Sequence, residues 1–302
     1  MISSLSVLIP TYNDCCLELV KQLKIQADYE VKANNGKFIY EIIVADDGST
    51  NNDVIEYNKA IGKLENCRFL IRTINSGRAA IRNFLVQNAR YEYLLFIDCD
   101  RGIRNSDFIH TYLQCEEAPI IYGGYIINGN KDKFKYNLRY IYESKYNKNH
   151  IAKQRTKHPY NNFNTSNFIA KRDIMLRFKF DERMKKYGYE DVLWGKIIKE
   201  NNIKIYHIDN PLIIEKFETN DVFIAKTEEA LSTLYDYKEE LRGFSSLIST
   251  AELLERYNLD KVVAVVFNKI QHIVKNNLTG NKPHITLFYI YKIGIFCKLM
   301  NS

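Results

Sequence analysis

Four short apolar runs in the first hundred residues each end in a polar cluster. Residues 5–9 (LSVLI) lead into Pro10, Thr11, Tyr12 and Asn13, and residues 41–45 (EIIVA) into Asp46, Asp47, Gly48 and Ser49. Residues 67–72 lead to the segment 75–78 (NSGR), and residues 93–97 (YLLFI) to Asp98, Cys99 and Asp100. Near-continuous apolar runs of this length predict strands buried on both faces. Between them, residues 16–27, 52–64 and 77–90 read as helices. In the last, Ala80, Phe84 and Leu85 share one face at helical spacing. Strands alternating with helices predict an α/β fold with a mainly parallel sheet covered on both sides. Ligands of such sheets bind beyond the carboxyl ends of the strands. The pattern therefore brings four polar strand tips to one rim.

Past residue 120 the pattern loosens. Residues 120–170 are rich in Tyr, Asn and Lys, residues 181–190 read as a loop, and a helix follows from about Asp191. Residues 204–208 predict one more strand. Beyond 216 the chain turns helical, with amphipathic stretches at 223–242, 246–256 and 259–276 and an apolar, aromatic segment at 285–300. This organisation predicts an α/β domain over 1–215 and a helical extension over 216–302.

Charge refines the picture more than bulk composition does. The net charge is +7, and residues 131–190 hold 16 Lys/Arg against 6 Asp/Glu. Such a surface attracts nucleotides, phospholipids or acidic sugars, or is simply a solvated Lys-rich face. No feature points to nucleic acid. The cysteines at 15, 16, 67, 99, 115 and 297 form no CxxC pair and no zinc spacing, which suits a reducing compartment. The N-terminus does not read as a signal peptide, and no apolar run reaches the roughly 18 residues that span a bilayer. A cytoplasmic protein is expected. The 285–300 segment, interrupted by Lys292, either packs inward or rests peripherally on the inner face of an anionic membrane.

The polar tips carry candidate chemistry. Asp98 and Asp100, two apart at a strand end, can reach one hard divalent cation, although Asp is also a common turn residue. Asp46 and Asp47 can accept hydrogen bonds from a base or a ribose, or can equally organise a turn and helix cap. Gly77 and Arg78 open a helix with Arg82 one turn later, an arrangement that favours anions. Glu190 and Asp191 precede an apolar helical stretch. Either could act as a general base, or both could simply complement the helix dipole.

In order and spacing these pieces resemble glycosyltransferases of family 2. Residues 6–13 (SVLIPTYN) are similar to that family's opening strand, 41–50 (EIIVADDGST) to its second motif, 75–83 to the helix before the metal motif, 96–100 (FIDCD) to the metal motif, and 180–191 to the segment ending in the catalytic Glu-Asp pair. The resemblance implies a GT-A fold and a nucleotide-sugar donor, with UDP contacts near Pro10, Thr11, Tyr12, Asp46 and Asp47. It implies Mn²⁺ or Mg²⁺ at Asp98 and Asp100, and Asp191 as base. Family members often place a later His at the metal, for which His207 is the candidate. A looser resemblance over 207–211 and the tail is to enzymes of bacterial surface-polysaccharide synthesis, with a saccharide or lipid-linked acceptor. The rival readings are a sugar nucleotidyltransferase, which would want a Gly-rich phosphate loop absent after the first strand, and a catalytically silent binding module on the same fold.

Overall fold

The computed structural model describes residues 2–146 and 150–302. In chain order the elements begin β1 (Ser4–Thr11), α1 (Leu17–Ala33), β2 (Ile39–Asp46), α2 (Asn52–Lys59), β3 (Cys67–Ile71), α3 (Arg78–Asn88), β4 (Tyr93–Ile97) and α4 (Phe108–Leu113). There follow β5 (Ile120–Tyr122), β6 (Tyr125–Ile127), α5 (Lys131–Phe134), α6 (Leu138–Tyr146), α7 (Ala152–Arg155), β7 (Asn167–Lys171), α8 (Arg172–Arg177) and α9 (Glu190–Glu200). The chain closes with β8 (Ile205–His207), β9 (Leu212–Ile214), α10 (Asn220–Asp236), α11 (Ser246–Arg256), α12 (Leu259–Thr279) and α13 (Ile285–Met300).

The elements divide into two compact units. The first comprises the described residues of Met1–Ile126, Asn149–Lys185 and Trp194–Glu215. Its seven-stranded sheet runs β3-β2-β1-β4-β7-β5-β8. β1 to β4 are parallel, as their continuous apolar runs require, with Thr11 level with Asp46 and Asp46 level with Ile71. β7 is antiparallel to both β4 and β5. Alternate residues feed cores on either face: Val7, Ile9, Ile42 and Val44 on one, Leu8, Ile43 and Phe96 on the other. Cys16 and Cys99, 83 residues apart, are joined as a disulfide with Cα atoms 5.5 Å apart. The reading of scattered cysteines that suit a reducing compartment thus meets an exception in this pair, because the fold brings the start of α1 to the tip of β4.

The second unit comprises the described residues of Ile127–Lys148, Lys186–Leu193 and Lys216–Ser302. It differs from a contiguous extension over 216–302 by two earlier segments. The reason is aromatic packing: Leu138 lies in one core with Ile224, Phe267 and Phe288, and the Tyr142 ring meets Phe288 at 5.4 Å between centroids. α13 packs inward, burying Phe288, Tyr291, Phe296 and Cys297. Gly294 allows this, since a Cβ there would lie 2.3 Å from the Phe267 ring on α12. The basic excess of 131–190 is split between the units, and part of it is spent locally: Arg139 pairs with Glu218, Lys186 with Asp236 and Arg183 with Asp181.

Candidate active site

The tips of β1 and β2 are tied into one rim by Asn13. This residue sits at φ 54°, a left-handed conformation that Asn tolerates better than most side chains. Its Oδ1 accepts from the backbone N–H groups of Thr50 and Asn51, and its own N–H donates to Ser49 Oγ. Thr11 Oγ1 donates to the carbonyl of Asp14, while Tyr12 stands exposed beside it. Asp46 is fully buried and turns back on its own loop, Oδ1 accepting from Ser49 N–H and Oδ2 from Ser49 Oγ. Gly48 makes the turn possible: it lies at φ 73°, and a Cβ there would come within 2.7 Å of the 74–75 backbone.

Asp47 reaches a different loop. Its Oδ2 accepts from the N–H groups of Ser76 (3.1 Å) and Gly77 (2.9 Å), and its Oδ1 from Arg72 Nη1 (3.1 Å). The helix start that the sequence marks as an anion site thus already receives an anion from its own chain. Burial pushes the Asp47 carboxyl above the usual range and outweighs these three partners.

The acid pair after β4 behaves otherwise. Asp98 leaves β4 with its N–H on the carbonyl of Ser166, and two residues past Asp100, Gly102 exchanges both backbone hydrogen bonds with Ile213. The loop is thereby pinned at both ends. Asp98 Oδ1 accepts from Arg82 Nη2 at 3.0 Å, and Oδ2 lies 3.9 Å from Arg101 Nη2. Burial would raise the Asp98 pKa most, but the charges of Arg82, Arg101 and Arg78 together hold it below the ordinary carboxylate range. Asp100 is 41% exposed against 17% for Asp98, with Arg101 Nε 3.5 Å from its Oδ1. Arg82 is thus directed at the pair's first carboxylate, and the Arg78 charge acts on the same group.

His207 sits at the end of β8 with both ring nitrogens engaged. Nδ1 accepts from Arg155 Nε (3.2 Å), so Nε2 carries the proton and donates to the carbonyl of Pro159 (3.0 Å). Burial lowers its pKa to about 4, the Arg155 charge acting in the same direction. In this arrangement neither nitrogen is open to a metal. Among the described residues no group of three or more His, Cys, Asp or Glu gathers to hold one.

Glu190 and Asp191 belong to the second unit. The chain enters α9 through two residues at positive φ, Gly188 (95°) and Tyr189 (67°). Thr233 Oγ1 donates to the Tyr187 carbonyl, and Glu229 accepts from the Tyr187 N–H, fixing this entry on α10. Asp191 Oδ1 accepts from the N–H of Val192, and Glu190 is buried. Burial pushes the Tyr189 hydroxyl up to about 12, with the Asp191 charge adding to the effect.

Residues 6–182 match the profile of glycosyl transferase family 2, more than half of the chain. The chain belongs to glycosyl transferase family 2. Among its relatives in the family are the poly(ribitol-phosphate) beta-glucosyltransferase of Bacillus spizizenii, 34% identical over 115 residues and 36% of this chain, and the chondroitin synthase of Escherichia coli, 34% identical over 118 residues and 38% of this chain. This chain spans 16% of the length of each. In three dimensions it resembles a mannosyltransferase from Pyrobaculum calidifontis solved with GDP-Man and Mn²⁺, with a TM-score of 0.54 at 12% identity, covering 99% of this chain and 87% of that one. That likeness shows a shared GT-A-type fold. Two organising residues escaped the sequence reading. Asn13 could have been flagged by Asn's tolerance of positive φ, and Arg101 by its place directly after the acid pair.

The glycosyltransferase motif residues suit a divalent ion. Mg²⁺ and similar hard cations are held by one or two carboxylates together with substrate phosphates and water. Asp98 and Asp100 at a pinned strand end offer that donor set, and Asp100 is the exposed member.

Proposed function

We propose that this family 2 enzyme is an inverting transferase, moving a sugar from a nucleoside-diphosphate donor to a hydroxyl of a saccharide or lipid-linked acceptor. The observation that carries the reading is the unequal acid pair at the tip of β4, with Asp98 neutralised by Arg82 and Asp100 left exposed. Pro10, Thr11, Tyr12 and Asn13 form the donor rim with Asp46, and Asp47 holds the loop from which Arg78 and Arg82 depart. Asp100, with Asp98 beside it, would hold Mn²⁺ or Mg²⁺, which would supply positive charge against the leaving diphosphate. Asp191 takes the proton of the acceptor hydroxyl. The acceptor oxygen bonds to C1 of the sugar while the bond from C1 to the diphosphate oxygen breaks, and the electron pair leaves with the diphosphate. A single displacement inverts C1. The catalytic parts are assigned without His207, whose nitrogens serve Arg155 and Pro159. The relatives' printed names place their activities in polymer glycosylation, which supports a surface-polysaccharide acceptor here.

A panel of UDP- and GDP-sugars tests the reading by release of the nucleoside diphosphate. UDP-sugars are the expected donors, and turnover by Asp191→Asn should fall about 10²- to 10⁴-fold with donor affinity nearly unchanged. No release from any donor, or a loss of affinity as large as the loss of turnover, would overturn the assignment.

A further inference from the structure

α12 is apolar on two faces, and only one of them is used within its unit. Ala264, Phe267, Val274 and Leu278 enter the core shared with α13. The other face shows Val262 (55% exposed), Val265 (60%), Val266 (52%) and Ile273 (70%). Isolated exposed aliphatics are ordinary, but four at helical spacing form a continuous stripe of the kind that marks an interaction surface.

The charge around the stripe identifies what covers it. Residues 216–258 hold 5 Lys/Arg and 9 Asp/Glu, whereas residues 259–302 hold 6 Lys and a single acid, Asp260. Asp260 is buried, where its Oδ2 accepts from Asn301, so the exposed face of α12 presents Lys261 and Lys269 with no carboxylate. Two copies joined through this face would set lysine against lysine. An aliphatic stripe on a helix that itself exposes lysines and no carboxylate matches an anionic lipid surface, with the side chains entering the headgroup boundary and the lysines meeting phosphate.

We propose that the exposed face of α12 is a docking surface for anionic membranes. The helix lies along the surface rather than across it, since among the described residues no helix is long and apolar enough to span a bilayer. The apolar C-terminal segment marked by the sequence is not this surface: α13 is consumed by the core, and α12 takes its place. The inference is independent of the catalytic assignment.

Vesicle flotation of the full chain tests it. The protein should float with phosphatidylcholine vesicles containing phosphatidylglycerol at low salt, and about tenfold less with phosphatidylcholine alone. The double variant Val266→Glu/Ile273→Glu should lose binding about tenfold or more with an unchanged melting profile, because both positions are exposed. Lys261→Ala/Lys269→Ala should weaken binding to the anionic vesicles only. The proposal fails if the wild type stays unbound with anionic vesicles, or if both variants float as well as the wild type. It also fails if the chain elutes as a dimer that Val266→Glu/Ile273→Glu splits.

Discussion

Two pairs of aspartates stand at the tips of β2 and β4, the strands on either side of β1, and the fold uses them in opposite ways. Asp46 and Asp47, at the end of β2, are filled by the chain's own donors: Ser49 takes both oxygens of the first, and Ser76, Gly77 and Arg72 take those of the second. Asp98 and Asp100, at the end of β4, face Arg82 and Arg101, and Asp100 stays 41% exposed. A carboxylate whose lone pairs are satisfied internally organises a loop. One that faces cations and solvent keeps acceptor capacity for a ligand. Residue type is the same in all four cases, and the function follows from who supplies the hydrogen bonds.

The contrast can be broken from either side. The largest stability effect is expected inside the metal motif itself. Asp98→Asn removes the carboxylate charge that faces buried Arg82 at 3.0 Å and should cost about 3 kcal/mol or more in a urea titration, as breaking a buried ion pair usually does. A loss under half that size would mean Arg82 does not depend on Asp98. Asp47→Ala comes next. It strips an acceptor from two backbone N–H groups and a guanidinium, so about 2 kcal/mol should be lost and donor affinity should drop as the 75–78 loop loosens. If stability holds while only turnover falls, Asp47 belongs with the catalytic acids and the comparison is wrong. The smallest effect at neutral pH concerns His207, a base silenced by its own fold, whose contribution shows only on acidification. Its folded pKa of about 4 lies below the ordinary value of 6.5, so its contribution to stability is present above pH 6.5 and is lost as pH falls towards 4. Stability should decline across that window by up to about 1.4 kcal/mol per pH unit for this residue. His150, lowered to about 4 chiefly by burial, adds a parallel decline. His207→Gln should flatten part of the slope, and an unchanged slope would show that His207 is not held neutral.

The sheet was readable because β1 to β4 are buried on both faces and announce themselves as unbroken apolar runs ending in polar tips. Their parallel order and their shared rim follow from that pattern. The helix from Ile285 to Met300 was equally plain. What it packs against was not: α12 and α13 are both apolar, and nothing local in the sequence marks the close approach of Gly294 to Phe267 that joins them. The segment 127–148 was unreadable for a related reason, since Leu138 and Tyr142 find their partners 80 or more residues away, in Ile224 and Phe288. Long-range pairing also hid the Cys16–Cys99 bond. Within the site, the motif spelled out the four aspartates but not their division of labour, because the donors to Asp47 come from 29 and 30 residues further along the chain.

The most direct test of the central claim is a divalent-ion titration of nucleoside-diphosphate release, run on the wild type and on Asp100→Ala. The wild type should need Mn²⁺ or Mg²⁺ and fall silent in EDTA. Asp100→Ala should lose about 10²-fold or more at every metal concentration while its unfolding midpoint stays within about 0.5 kcal/mol of wild type, since the residue is half-exposed and outside the core. Full release in EDTA, or an Asp100→Ala variant that turns over like the wild type, would contradict the assignment of the exposed acid at the tip of β4 to the metal.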